Sequence, residues 1–355
     1  MRDIREELTH EHRQAIETEP KVAADTAVEI RIALPEDAES LARCFFHSYG
    51  ATYLFDWAYR PDEIRRRWAE GAMVSVVGVS AESGVVGHLA LDFDRPGAKV
   101  GEAGQAVVDP RWRGHHVFES MGVSLASWAK EQGFHGWYGE ATAAHPYSQR
   151  GSLALGAHET GFLIGYLPSG LDYKDISSGA ARHRETAAMM YLRTNEEPER
   201  VAHVPAAFRD IVSRVYVNGG FRRSLGAGEG GAERTGTALK VEKNPDLNAG
   251  RLRPEHLGSD FHTVVERELS RLISEGVDCI YLDLPVADPT VAMHGGELAD
   301  LGFFFCCILP EFRDDGDLLR LQLLNGVDPH IEEIATASDF GKGLLEEMLS
   351  SMPDA

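Results

Sequence analysis

The clearest pattern in the chain is a face of residues at helical spacing, Val117, Met121, Ser124, Leu125 and Trp128, which predicts an amphipathic helix lying on a sheet. Directly before it runs an apolar-rich strand, Ala106-Val107-Val108, that Asp109-Pro110 stops. Upstream, residues 27–32 alternate as a strand. Pro35-Glu36-Asp37-Ala38 opens a helix through Leu41, Cys44 and Phe45, its proline and acids suiting a first turn. Residues 61–70 read as a second helix, and residues 73–79 and 85–91 as a hairpin about Ser83-Gly84. Downstream, residues 137–141 predict a short strand and residues 145–155 a helix closed by Gly156. Residues 162–167 and 187–192 predict two further strands.

The second half partly repeats this order. Gly161-Phe162-Leu163-Ile164-Gly165-Tyr166-Leu167-Pro168 is echoed by Gly302-Phe303-Phe304-Phe305-Cys306-Cys307-Ile308-Leu309-Pro310, and an apolar strand follows each (187–192 and 318–323). Before the second copy come an amphipathic helix (261–275) and a buried strand (277–284). The Gly-rich run 226–231 reads as a flexible linker, with no strand directly before it and no clear helix after it. The organisation expected is a polar arm (1–26), a first domain (27–195), a degenerate copy of it (200–330) and a C-terminal helix with a frayed tail (331–355).

Between the central strand and its helix lies the turn Arg111-Trp112-Arg113-Gly114-His115-His116. First-turn amides have no intrahelical partners, the helix dipole is positive there, and two arginines add to the field, so the turn suits a phosphate or pyrophosphate.

The run Val108-x-Pro110-x-Trp112-Arg113-Gly114-x-x-Val117 resembles the acyl-CoA-binding segment of the GCN5-related N-acetyltransferase (GNAT) superfamily, Arg/Gln-x-x-Gly-x-Gly/Ala after a strand ending in Val-x-Pro. Arg113 takes the first position, His116 replaces the first glycine and Phe118 the second. The element order over residues 28–193 resembles the same superfamily. The resemblance implies an α/β GNAT fold, a mixed central sheet flanked by helices, in two tandem GNAT-like units. It also implies acyl-CoA, most of all acetyl-CoA, bound by Ala106, Val107, Val108, Arg111, Arg113, Gly114, His115, His116, Val117 and Phe118. The activity implied is acyl transfer to a primary amine by direct attack. A small-molecule amine is expected ahead of a protein acceptor, and a homodimer is allowed.

Acyl transfer needs a base, a carbonyl stabiliser and a route out for the thiolate. Glu102 falls where some members of the superfamily carry a general-base glutamate; its other reading is an exposed strand residue. His145 falls where the superfamily often opens a helix with asparagine, and reads as a helix-cap neighbour or a base. Ser152 falls where many members have the tyrosine that protonates the thiolate, a role serine serves badly. Tyr147, one turn earlier, is the weaker substitute. His115 and His116 invite a metal, but neighbouring helical side chains point apart and chelate poorly, so none is expected.

Composition narrows the classes. At 355 residues, 43% hydrophobic and 26% charged, the chain is that of a globular protein with ample core. A formal net charge of -21 argues against nucleic acid as partner. Cys44, Cys279, Cys306 and Cys307 show no CxxC and read as buried free thiols. No apolar run is long enough for a bilayer and no secretory segment opens the chain, so no membrane partner and a cytoplasmic location are expected. The rival readings are a non-catalytic acyl-CoA-binding protein, because of His116 and the missing tyrosine, and a repurposed acyl-CoA enzyme such as a decarboxylase.

Overall fold

The computed structural model describes residues 2–8, 22–23, 26–95, 97–170, 181–228 and 236–353. It divides into two compact units, Met1–Gly139 with Ser169–Arg182, and Glu140–Pro168 with His183–Ala355.

The first unit opens with the short helix α1 (Ile4–Leu8) and the strand β1 (Glu29–Ile32). The expected polar arm is corrected at its start: Ile4 is buried with Leu41, Phe45 and Tyr59, while most of residues 9–25 lie outside the described residues. A single turn, Pro35–Asp37, leads into α2 (Ala38–Tyr49). Asp37 sets this entry, accepting from the Leu34 amide at 2.7 Å and from both ends of the Arg31 guanidinium. Then come α3 (Pro61–Ala69), β2 (Met73–Ser80), β3 (Gly84–Asp92), β4 (Val100–Val108), α4 (Val117–Glu131) and β5 (Gly136–Thr142), the last crossing the division.

Strands β1 to β4 pair antiparallel in chain order, and β5 lies parallel to β4. Helix α4 buries Val117, Met121, Leu125 and Ala129. Its first turn lies close to the sheet because Gly78 and Gly87, cross-strand partners, present no side chain there. A Cβ on Gly87 would stand 2.7 Å from Val117 Cγ1.

The second unit holds α5 (Tyr147–Ala154), β6 (His158–Leu167), β7 (Glu185–Arg193), β8 (Arg200–Ala202), α6 (Arg209–Asn218), β9 (Arg223–Leu225), β10 (Ala238–Asn244), β11 (Ala249–His256), α7 (Phe261–Ser274), β12 (Cys279–Pro285), α8 (Gly295–Asp300), β13 (Phe304–Arg313), β14 (Gly316–Leu324) and α9 (Asp339–Ser350). Its sheet runs β7-β6-β13-β14-β12-β11-β10, with β11 and β12 parallel and the remaining paired strands antiparallel. The β11–α7–β12 arrangement repeats β4–α4–β5. The compact division cuts the chain elsewhere than residue 195, because β6 pairs with β13.

The two echoing segments, β6 and β13, are therefore neighbours in the sheet. Gly161 faces Cys307, and a Cβ on Gly161 would lie 1.9 Å from the Cys306 carbonyl oxygen. Further along, Gln322 bridges to Ile164, accepting from its amide at 3.0 Å and donating to its carbonyl at 2.7 Å.

Three readings need correction. A short strand, β9, does precede Gly226, and residues 229–235 lie outside the described residues. The helix expected over 145–155 begins at Tyr147, because His145-Pro146 stays outside it. The C-terminal segment is packed rather than frayed along most of its length. The Ala335 amide donates to the Ala143 carbonyl, the Ala335 carbonyl accepts from the side chain of the buried Gln149, and α9 buries Leu344, Leu345 and Met348. The four cysteines are free and buried, as expected.

Candidate active site

The site in the first unit begins with an irregularity in β4. His88 faces Val107 but Ala90 faces Gly104, so one extra residue is accommodated on β4, at Gln105 with φ 49°. A buried relay pins this bulge. Trp68 Nε1 donates to Ser75 Oγ (2.9 Å), Ser75 meets His88 Nε2 (2.8 Å), and His88 Nδ1 meets the Gln105 carbonyl (2.8 Å). A carbonyl only accepts, so Nδ1 carries the proton and Nε2 accepts from serine. Burial lowers the His88 pKa to about 4, keeping the ring neutral as this relay requires.

Past the bulge, Ala106 is exposed, Val107 buried and Val108 half-buried. Tyr49 donates to the Ala106 carbonyl at 3.5 Å and Ser48 to that of Val108 at 3.4 Å. Asp109 caps the following turn. Its buried carboxylate accepts from the Arg111 amide (3.0 Å), from Arg111 Nε (3.0 Å) and Nη2 (2.6 Å), and from His47 Nδ1 (3.1 Å). These bonds hold its pKa well below the usual range despite burial. The guanidinium of Arg111, expected to add to the field for a pyrophosphate, is bonded to Asp109.

Arg113 is half-buried at the turn. Gly114, at φ 88°, is exposed, and a side-chain carbon placed on it would meet nothing within 4 Å beyond its chain neighbours. His115 packs on Trp112, ring centroids 5.6 Å apart. His116, at φ 56°, forms the left-handed N-cap of α4, which is the conformation a glycine at that motif position would supply. Its side chain is 83% exposed and stands 3.7 Å from Glu119. Phe118 is half-buried and Val117 buried. The first intrahelical bond starts at Ser120, which donates to His116, so the amides of residues 117–119 precede the ladder. No acid occupies the cap. The donor set, amides plus Arg113, fits a pyrophosphate.

Three residues before the bulge, Glu102 accepts from the Tyr138 hydroxyl at 3.4 Å. Directly opposite it on β3 stands Asp92. Burial first, and the Glu102 charge second, push the Asp92 pKa up to about 7, while Arg67 and a hydrogen bond from the Gln105 side chain pull the other way. The β4–β5 pairing ends at Glu102 and Tyr138, and Gly139 follows. The sequence pattern pointed to Glu102 but to neither Asp92 nor His88.

In the second unit, Tyr147 is 62% exposed at the start of α5 and Ser152 half-buried in its body. His145 lies beside the Tyr147 ring (5.1 Å), and burial lowers its pKa. Gln149 fixes the helix through the Thr142 and Ala335 carbonyls.

No protein-family model and no curated protein matches the chain. Solved structures similar to it include acetyltransferases, alike over about half of this chain. A ribosomal-protein-S5-alanine acetyltransferase from Vibrio fischeri is 16% identical, over 48% of this chain and 96% of its own, with a TM-score of 0.38. A GNAT superfamily phosphinothricin acetyltransferase from Sinorhizobium meliloti, in complex with AcCoA, is 19% identical over 48% and 92%, TM-score 0.38. Mutant forms of a spermidine/spermine N-acetyltransferase from Vibrio cholerae are 12% identical over 47% and 94%, TM-score 0.38.

Proposed function

We propose that the chain is an acyl-CoA-dependent N-acyltransferase that moves acetyl from acetyl-CoA to a primary amine by direct attack. The observation that carries this is the sequence of a pinned bulge, an acid-free turn and an open helix N-terminus along one strand–turn–helix. The amides of residues 117–119, with Arg113 and the open Gly114, hold the pyrophosphate. The β4 backbone beside Gln105 orients the acyl arm. Bound acetyl-CoA supplies the thioester.

The Asp92–Glu102 pair takes the proton from the amine. Burial first, and the facing Glu102 carboxylate second, raise the Asp92 pKa to about 7, in the range a general base requires. Ser152 is a poor acid and Tyr147 points largely to water, so the departing thiolate takes its proton from solvent. The acidic chain suits a cationic acceptor, and a small-molecule amine is proposed ahead of a protein.

The test is a thermal-shift titration with CoA, acetyl-CoA and malonyl-CoA, followed by thiol release with an amine panel. A melting temperature that climbs with ligand, then amine-dependent thiol release, supports the proposal. No shift at millimolar ligand overturns it. The absent tyrosine favours one rival: binding without turnover of any amine would make this an acyl-CoA-binding protein. Malonyl-CoA consumption without acceptor would make it a decarboxylase.

A further inference from the structure

We propose a divalent transition-metal site in the second unit, formed by His183, His330 and Glu333. One donor atom from each lies within 4.8 Å of the others. His183 Nε2 stands 2.9 Å from Glu333 Oε2, and the two imidazole rings are 3.8 Å apart at their centroids. The set is two imidazoles and a carboxylate, the donor class of zinc sites that keep an open position. It is remote in sequence from His115-His116 and independent of the proposed acyl transfer.

Both histidines are presented by fixed backbone. His183 precedes β7, and its neighbour Arg184 is locked by four bonds: to the carbonyls of Gly165, Tyr166 and Leu247 and to Asp278. His330 sits in the turn after β14, where the Asp328 carboxylate accepts its amide at 3.0 Å. His330 adopts φ 44°, ψ 54°, a left-handed conformation that costs a residue with a side chain of this size about 1 kcal/mol or more. That geometry holds its ring against His183. Glu333 follows in the same turn, so one short segment carries two donors and the residue leading into β7 carries the third. All three side chains reach solvent, with His183 25%, His330 31% and Glu333 59% exposed, which gives an ion a way in.

Cysteine is absent from the set, and a magnesium or calcium site would need more oxygen donors. Zinc or cobalt is the class that fits.

The test uses tag-free, chelator-stripped full-length protein. Zn²⁺ is titrated by calorimetry and Co²⁺ by its visible absorption, which reports coordination geometry. One equivalent is expected, lost or weakened more than about tenfold in His183→Ala, His330→Ala and Glu333→Ala, and kept in His262→Ala. Glu333 is surface-exposed, so its variant keeps the test valid should a histidine variant misfold. Wild-type protein that takes up no Zn²⁺, or the same uptake in Glu333→Ala as in wild type, overturns the proposal.

Discussion

Two strand–turn–helix elements of this chain share a topology and part company at the turn. In the first unit β4 leads through Arg113 and Gly114 to a helix capped by exposed His116. In the second, β11 leads through Gly258 to a helix capped by Asp260, whose carboxylate already accepts from the Thr237 amide. Gly258 is pressed so close to Gly236 that a Cβ would lie 2.4 Å from its carbonyl carbon. An anion therefore meets open amides in one place and a carboxylate in the other.

The strands differ in the same sense. After the last β4–β5 pair comes Gly139; after the last β11–β12 pair comes Asp283, buried and bidentate to Arg320, with Arg253 and Arg251 alongside. The first element has a glycine at this point, where a Cβ would lie 3.2 Å from the Ala103 carbonyl oxygen, and the second has a buried charge pair.

The largest effect should come from breaking the filled copy. Asp283→Ala strands Arg320 in the core and should cost about 3–5 kcal/mol in chemical denaturation, whereas Asp283→Leu with Arg320→Met should recover most of it. Next, Gly114→Glu gives the open turn the acid that the second copy carries. Its acetyl-CoA affinity should fall on the order of 100-fold by calorimetry, ~2.7 kcal/mol, separately from the ~1 kcal/mol of fold stability that a side chain at φ 88° costs. An unchanged affinity would break the comparison.

The carboxylate pair comes third. Asp92→Asn should slow turnover on the order of 100-fold. In wild type the rate should rise with pH through about 7, as Asp92 loses its proton. Glu102→Gln removes the neighbouring charge, so this midpoint should move down. Stability carries the opposite slope. Folded Asp92 keeps its proton to about pH 7 while the unfolded residue releases it near pH ~4, so the native state binds more protons in between. Stability contributed by this residue therefore falls as pH rises through that window, and Asp92→Asn should flatten the curve. Smallest is His116→Gly, which relieves a left-handed side chain and should stabilise by ~0.5 kcal/mol in thermal melts.

The sequence carried most of the element order because amphipathic spacing and turn residues are local. The helix at Val117, the hairpin at Ser83-Gly84 and the Gly156 stop each depend on a few neighbouring residues. The turn was legible for the same reason, and Glu102 was singled out by the superfamily resemblance. Asp92 was not, because the bulge at Gln105 shifts the register by one: without it Glu102 would face Phe93. His88 was hidden too, since a histidine in an apolar strand reads as core until its carbonyl partner is known. The commitment of Arg111 to Asp109 is a matter of side-chain geometry that residue spacing does not encode. His183 and His330 are brought together only by tertiary contact.

The β6–β13 seam has a consequence for dilution. Two separate hairpins meeting along a strand edge would fall apart as their concentration dropped, and each would expose bare amides and carbonyls to any other chain. Here both hairpins belong to one polypeptide, so their meeting is governed by tether length and is indifferent to how much protein is present. The glycine at position 161, by admitting the Cys306 carbonyl so closely, makes that closure a property of each single molecule.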